Sequence, residues 1–247
     1  MRRLGEANIR FLVGGAYALC AYTGISRDTK DFDLFVRPDD LERALETFRA
    51  HGFEAEVTFS HWLAKAKRGE DCIDLIFRAG NGLCEVDESW FARAREENVL
   101  GERVAVCAPE EILWMKCYIM ERERFDGADV AHLILNCAER LDWPHLLRRF
   151  GDDWRVLLGH LVLFGFIYPS ERERIPRALM SELLARLHNE LQAKAPADRV
   201  CRGTFLSRAQ YLSDVQEHGF RDARLDPASS MTAEDIEQWT AAIESGQ

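Results

Sequence analysis

No two of the seven cysteines stand in a CxxC pair, and their number is odd. That excludes a zinc ribbon and a disulfide framework as the organising feature. Most of them, as in "LNCAERL", sit in apolar surroundings where a free thiol packs as a small hydrophobe. Long hydrophobic runs are missing too. The most apolar stretch, "VLLGHLVLFGFIYP" (156–169), is interrupted by His160 and falls short of the roughly 20 residues a membrane helix needs. It is expected to be a buried helix. The start, "MRRLGEANIRFLVGG", has two arginines but neither a long apolar core nor a small-residue cleavage site, so no signal peptide is expected. Excess positive charge is lacking as well: the formal net charge is -10, which argues against a broad basic face for nucleic acid. No repeat or low-complexity tract appears. These absences point to the cytosol, with no membrane and no long duplex nucleic acid as partners.

What remains is an ordinary globular composition, 47% hydrophobic and 30% charged over 247 residues, enough for one large or two small domains. The first hundred residues alternate short strands with helices. Strand patterns cover "RFLV" (10–13), "DFDLFV" (31–36), "FEAEVTF", "HWLAKAK", "CIDLIF" and "ERVAVCA". "RGED" (68–71) is placed as a hairpin turn. Pro38 and the acids behind it start a helix that His51-Gly52 ends. A further helix is placed on "ESWFARAREE". From Pro109 onward the pattern is helix after helix, starting with "PEEILWMKCYIMERERF". The predicted division is 1–108, mixed α/β, and 109–247, helical, with a linker near 193–198 and a last amphipathic helix around 232–244.

Chemistry concentrates in residues 14–35, "GGAYALCAYTGISRDTKDFDLF". Alternation along a strand puts Asp31 and Asp33 on one face, roughly 6–7 Å apart. Phe32, Leu34 and Val36 take the other face. Two like charges so close suit a divalent ion between them. Asp74 lies within the otherwise apolar strand "DCIDLIF", an expensive place for an acid without a partner. It is the natural third ligand if its strand neighbours 31–36. Gly14-Gly15, between a strand and a helix, offers backbone N–H groups to an anion with no Cβ in the way. Glycines for phosphate plus three acids compose a metal-dependent phosphoryl or nucleotidyl transfer site. The alternative is a structural turn beside solvated acids.

The stretch resembles the nucleotidyltransferase superfamily of the DNA polymerase β fold. The resemblance lies in Gly14-Gly15, Asp31-Phe32-Asp33 and the later Asp74. Arg27 and Thr29 before the acids look like the bacterial branch that holds abortive-infection and toxin–antitoxin enzymes. It covers about residues 10–136. The resemblance implies an α+β fold with a mixed sheet, and two Mg²⁺ ions held by Asp31, Asp33 and Asp74. It also implies a nucleoside triphosphate such as ATP as substrate, held by Gly14 and Gly15, with Asp74 as base or polariser of the acceptor. Arg27, Thr29 and Lys116 are candidate nucleotide contacts; for Lys116 the competing reading is a lysine that snorkels to solvent. Asp126, Asp129 and His132 share a helix face, and salt bridges to Arg122 or Arg124 are favoured over a metal there. The acceptor is expected to be a small molecule, an RNA end or a protein side chain. The rival reading is a non-catalytic module that keeps the fold to bind a partner protein.

Overall fold

The computed structural model describes residues 1–227 and 229–242, in two compact units. The first comprises Met1–Ile112 and the described residues from Arg224 onward; the second is Leu113–Ala223. The expected division was contiguous. Instead the division falls within a helix, four residues beyond the boundary placed at 108, and the described residues from Arg224 onward cluster with the first unit.

In the first unit the elements run α1 (Arg2–Glu6), β1 (Leu12–Val13), α2 (Gly15–Thr23), β2 (Asp31–Phe35), α3 (Leu41–Ala50), β3 (Glu54–Phe59), β4 (Leu63–Arg68) and β5 (Asp71–Ile76). Then come α4 (Glu88–Ala92), β6 (Arg95–Val99), β7 (Glu102–Val106) and α5 (Pro109–Lys116), the helix in which the division falls. Seven strands form one mixed sheet in the order β3-β4-β5-β2-β1-β7-β6. β2 runs parallel to β5 and antiparallel to β1, while β1 is parallel to β7. The α+β class with a mixed sheet is therefore the observed one. Val13, Leu34, Leu75, Ala64 and Ala66, which share one sheet face, are almost wholly buried, as are Leu45 of α3 and Trp90 of α4, so that face is covered over much of the sheet's width.

Two elements differ from expectation: α5 ends at Lys116 instead of running on through Phe125, and one strand stands where a helix is expected. The helix placed on 88–97 stops at Ala92, and Arg95–Val99 is strand β6, paired antiparallel with β7. Asp87 caps the short helix by accepting from the Ser89 amide (2.9 Å). The hairpin then turns at Leu100 and Gly101, both at positive φ (55° and 82°), as a two-residue type I′ turn requires. Leu-Gly carries no asparagine or aspartate to announce that turn, and the charges of "RAREE" mimic a helix surface.

In the second unit, α6 (Gly127–Cys137), α7 (Trp143–Phe150), α8 (Trp154–Ile167) and α9 (Arg177–Gln192) supply the core through Leu133, Ile134, Leu146, Leu161, Phe164 and Leu183. The apolar run is α8, which buries one side and leaves Val162 and Phe166 exposed. A small parallel pair, β8 (Val200–Cys201) and β9 (Arg221–Asp222), flanks α10 (Leu212–Gln216). The final helix α11 (Ala233–Ala241), in the first unit, begins with a capping box between Thr232 and Asp235. The outer residues of the helix expected there, 243 and 244, lie outside the described residues.

Candidate active site

Strand β5 lies directly beside β2, and the register pairs Asp31 with Cys72 and Asp33 with Asp74. Side chains of paired residues share a sheet face, so the three acids project from one face of two adjacent parallel strands. Ligating atoms of Asp31, Cys72 and Asp74 lie within 4.8 Å of one another. Asp74 is buried, and Asp31 and Asp33 are half-buried. Two carboxylates and a thiol in so small a space, with Asp33 on the same face, need positive charge among them.

Part of it comes from Lys65. Its Nζ donates to both oxygens of Asp74, at 2.8 and 3.1 Å. Burial alone would lower the ammonium's pKa, but the hydrogen bond and charge of Asp74, with Cys72 and Asp31, raise it above the ordinary lysine value. The Cys72 thiol approaches Asp74 Oδ1 at 3.7 Å. Burial and then its hydrogen bond with Asp31 push the thiol up to about 11, against the pull of Lys65, so it holds its proton at neutral pH. Lys65 and Cys72 were absent from the residues expected from the sequence. A signal for Lys65 existed: counting back from the "RGED" turn pairs 68 with 71, 67 with 72 and 65 with 74.

The glycines do two different things. Gly14 is the N-cap of α2, and its N–H donates to the Asp33 carbonyl (2.9 Å). A Cβ on Gly14 would lie 2.2 Å from the Phe35 ring, so its bareness serves packing. Gly15 has φ +52°, and a Cβ there would lie 1.7 Å from Asp33 Oδ2. The start of α2 thus runs directly beside the Asp33 carboxylate. The first intrahelical bond is from the Ala18 amide to Gly14, leaving the amides of Gly15, Ala16 and Tyr17 with no acceptor inside the helix. Those three, more than Gly14, are the amides a phosphate could meet.

Thr29 Oγ1 donates to the Asp31 carbonyl (3.1 Å), fixing the turn into β2, and exposed Arg27 lies in the same connection. Lys116 lies in the second unit, where its Nζ is bonded to Asp126 (2.6 Å) and Asp129 (2.8 Å). It is largely buried, so the snorkelling reading does not describe it. Asp126 also accepts from Arg124 at 2.9 and 3.0 Å. Burial opposes ionisation of Asp126, but Arg124 and Lys116 hold its carboxyl below the ordinary range. The acids of that helix face are thus in ion pairs.

A family described as "Uncharacterised nucleotidyltransferase" matches residues 1–153, more than half of the chain. The chain belongs to that family. No curated protein matches it. Among solved structures, the antibiotic-resistance factor ANT(2'')-Ia is 17% identical at a TM-score of 0.44, covering 64% of this chain and 91% of that one. A nucleotidyltransferase-like antigen from Paracoccidioides brasiliensis is 22% identical at 0.44, covering 70% and 87%. The lincosamide antibiotic adenylyltransferase LnuA is 12% identical at 0.39, covering 53% and 89%. The family model spans α2, β2 and β5, and so all three acids of this nucleotidyltransferase-family chain.

Proposed function

We propose that the protein is a divalent-metal-dependent enzyme that moves a nucleoside monophosphate from a triphosphate, ATP among them, to an acceptor. The observation that carries this reading is the register of β2 and β5, which sets Asp33 beside Asp74 and Asp31 beside Cys72. The donor set fits a hard cation. Asp31 and Asp74 offer oxygens within bridging distance, and Asp33 stands on the same face of the same strand. Asp31, Asp33 and Asp74 would hold one or two Mg²⁺ ions, which supply charge neutralisation at the transferred phosphoryl group.

The chain's own groups supply the rest. The amides opening α2 receive the polyphosphate, with the helix dipole favouring negative charge there. Arg27 and Thr29 lie on the connection that leads into the acids, where a guanidinium and a hydroxyl can meet the nucleotide. Lys116 is a weaker nucleotide candidate, since two carboxylates already engage its ammonium. In the transfer the acceptor oxygen bonds to the α-phosphorus as the bond to the bridging oxygen breaks, and pyrophosphate departs. Asp74 orients the acceptor hydroxyl and takes its proton.

The acceptor class we favour is a small molecule, an RNA end or a protein side chain, given the acidic chain. All seven cysteines are free thiols, in keeping with a cytosolic protein. No helix among the described residues is long and apolar enough to cross a membrane. Incubation with α-³²P-labelled triphosphates, Mg²⁺ and cell lysate should label an acceptor, and Asp31→Asn with Asp33→Asn should abolish the label. Nucleotide binding without any label transfer would replace this reading with that of a binding module acting on a partner such as an antitoxin. Absence of nucleotide binding at millimolar concentration would remove the transfer reading and leave the binding module.

A further inference from the structure

Across four neighbouring strands the register places Glu56 opposite Lys65, Lys65 opposite Asp74, and Asp74 beside Asp33. These four residues form one row on the face that carries the acids. Lys65 is the only lysine or arginine in that row. It holds both oxygens of Asp74, while Glu56 at the sheet edge is exposed. Its side chain is one-quarter exposed and that of Asp74 is 12% exposed, so water screens the pair little. An ammonium so placed competes with any cation for the same two oxygens. Its charge also opposes a cation held by Asp31 and Asp33.

We propose that Lys65 is a positioning residue for Asp74, an internal counter-charge that fixes the direction of this carboxylate and tunes how tightly the acidic centre takes a divalent cation. The inference rests on the reading of Asp31, Asp33 and Asp74 as cation ligands. Two consequences oppose each other, which separates this role from simple packing support. Removing the ammonium frees Asp74 and lifts a repulsion, so cation binding tightens. Removing it also releases Asp74 from its fixed direction, so transfer slows. A lysine that only stabilised the sheet would, on removal, leave cation binding unchanged or weaker.

The test is Mn²⁺ binding without nucleotide, read from the loss of the free-ion electron paramagnetic resonance signal. Wild-type protein is compared with Lys65→Met, Lys65→Gln, Lys65→Arg and Lys67→Met. Lys65→Gln keeps a donor for Asp74 and guards against a misfolded methionine variant. Lys67 faces Cys72 from the same strand and is exposed, so it controls for a general change of charge. Lys65→Met and Lys65→Gln should bind Mn²⁺ about tenfold more tightly than wild type. Lys65→Arg and Lys67→Met should stay within about threefold of it. Folded Lys65→Met and Lys65→Gln proteins that bind Mn²⁺ no more tightly than wild type would overturn the inference and leave the carboxylate centre standing. If neither wild type nor either neutral variant binds Mn²⁺, the centre is not a cation site and the inference falls with it.

Discussion

The Asp33 carboxylate occupies the place where a side chain on Gly15 would begin, 1.7 Å from the position of a Cβ there. The turn and the acids, fifteen residues apart in the chain (16–30 between them), are thus one piece of structure. Gly15 is constrained twice, by a left-handed φ of +52° and by this contact.

Gly15→Ala should therefore do more than strain the backbone. The left-handed conformation alone costs about 1–2 kcal/mol for an L-residue. The methyl group must also displace the Asp33 carboxylate. Gly24 is the control: its φ is +72° but nothing lies within 4 Å of a Cβ there. Both alanine variants should lose stability by denaturant titration, and only Gly15→Ala should also lose triphosphate binding in a thermal-shift assay. Equal nucleotide binding by the two variants would remove the link between the turn and the site.

Lys116 tests a different balance. It is wedged between Asp126 and Asp129, with side-chain exposures of 13%, 9% and 5%. Lys116→Met leaves two largely buried carboxylates without their ammonium, a loss of roughly 3–5 kcal/mol when a buried partner is removed. Adding Asp126→Asn to Lys116→Met should restore part of that stability, since Arg124 is then the cation left over and it is well exposed. Urea midpoints of the two variants decide this. If Lys116→Met is as stable as wild type, the pairs contribute nothing and a role for Lys116 in nucleotide contact gains ground.

The C-terminal return is the least local feature of the first unit. A Cβ on Gly80 would lie 2.7 Å from the Trp239 indole, and Trp239 meets the His61 ring edge-on at 5.7 Å. Asp235, also on α11, accepts a hydrogen bond from Ser60. Gly80→Ala and Trp239→Ala should each destabilise the protein. Because the first acts by displacing the indole that the second removes, the double variant should cost less than their sum by at least ~0.5 kcal/mol. Strict additivity in a denaturant double-mutant cycle would mean that α11 does not pack as described.

Strands β2 to β5 follow from sequence because their signals are local. "DFDLF" alternates, and "RGED" sets a two-residue turn with Gly69 at φ +59° in its first central position, as a type II′ turn needs. From that turn the Lys65–Asp74 pairing is a matter of counting. β6 was obscured because four of its five residues, Arg95, Glu96, Glu97 and Asn98, are charged or polar, and its Leu100-Gly101 turn lacks an asparagine or aspartate. The return of α11 was not legible, because the contacts of Trp239 and Asp235 lie some 160–180 residues away in the chain. The fate of Lys116 shows the same limit. Its spacing to Asp126 and Asp129 was visible, but that α5 ends at Lys116, with α6 restarting at Gly127, was not.

Two buried histidines give the protein an acid-sensitive window. His160 Nε2 donates to the Cys117 carbonyl (2.9 Å), and His61 Nε2 donates to the Gly80 carbonyl (3.0 Å). Burial, opposed by these carbonyls, holds both imidazoles below the usual histidine pKa. Unfolding returns each to about 6.5, so below that pH the unfolded chain binds protons that the native state declines. Stability should therefore be full above about 7 and fall as pH drops through 6.5 toward the folded values. Asp126 and Asp235 are likewise shifted down, below the ordinary carboxylate value, and lose their contribution only in stronger acid. Urea midpoints measured at pH 7.5 and 5.5 should thus differ in wild type, and the gap should shrink in His160→Gln, which cannot take up a proton in either state. An unchanged gap in His160→Gln, or a wild type more stable at pH 5.5, would show that His160 is not held neutral by its burial.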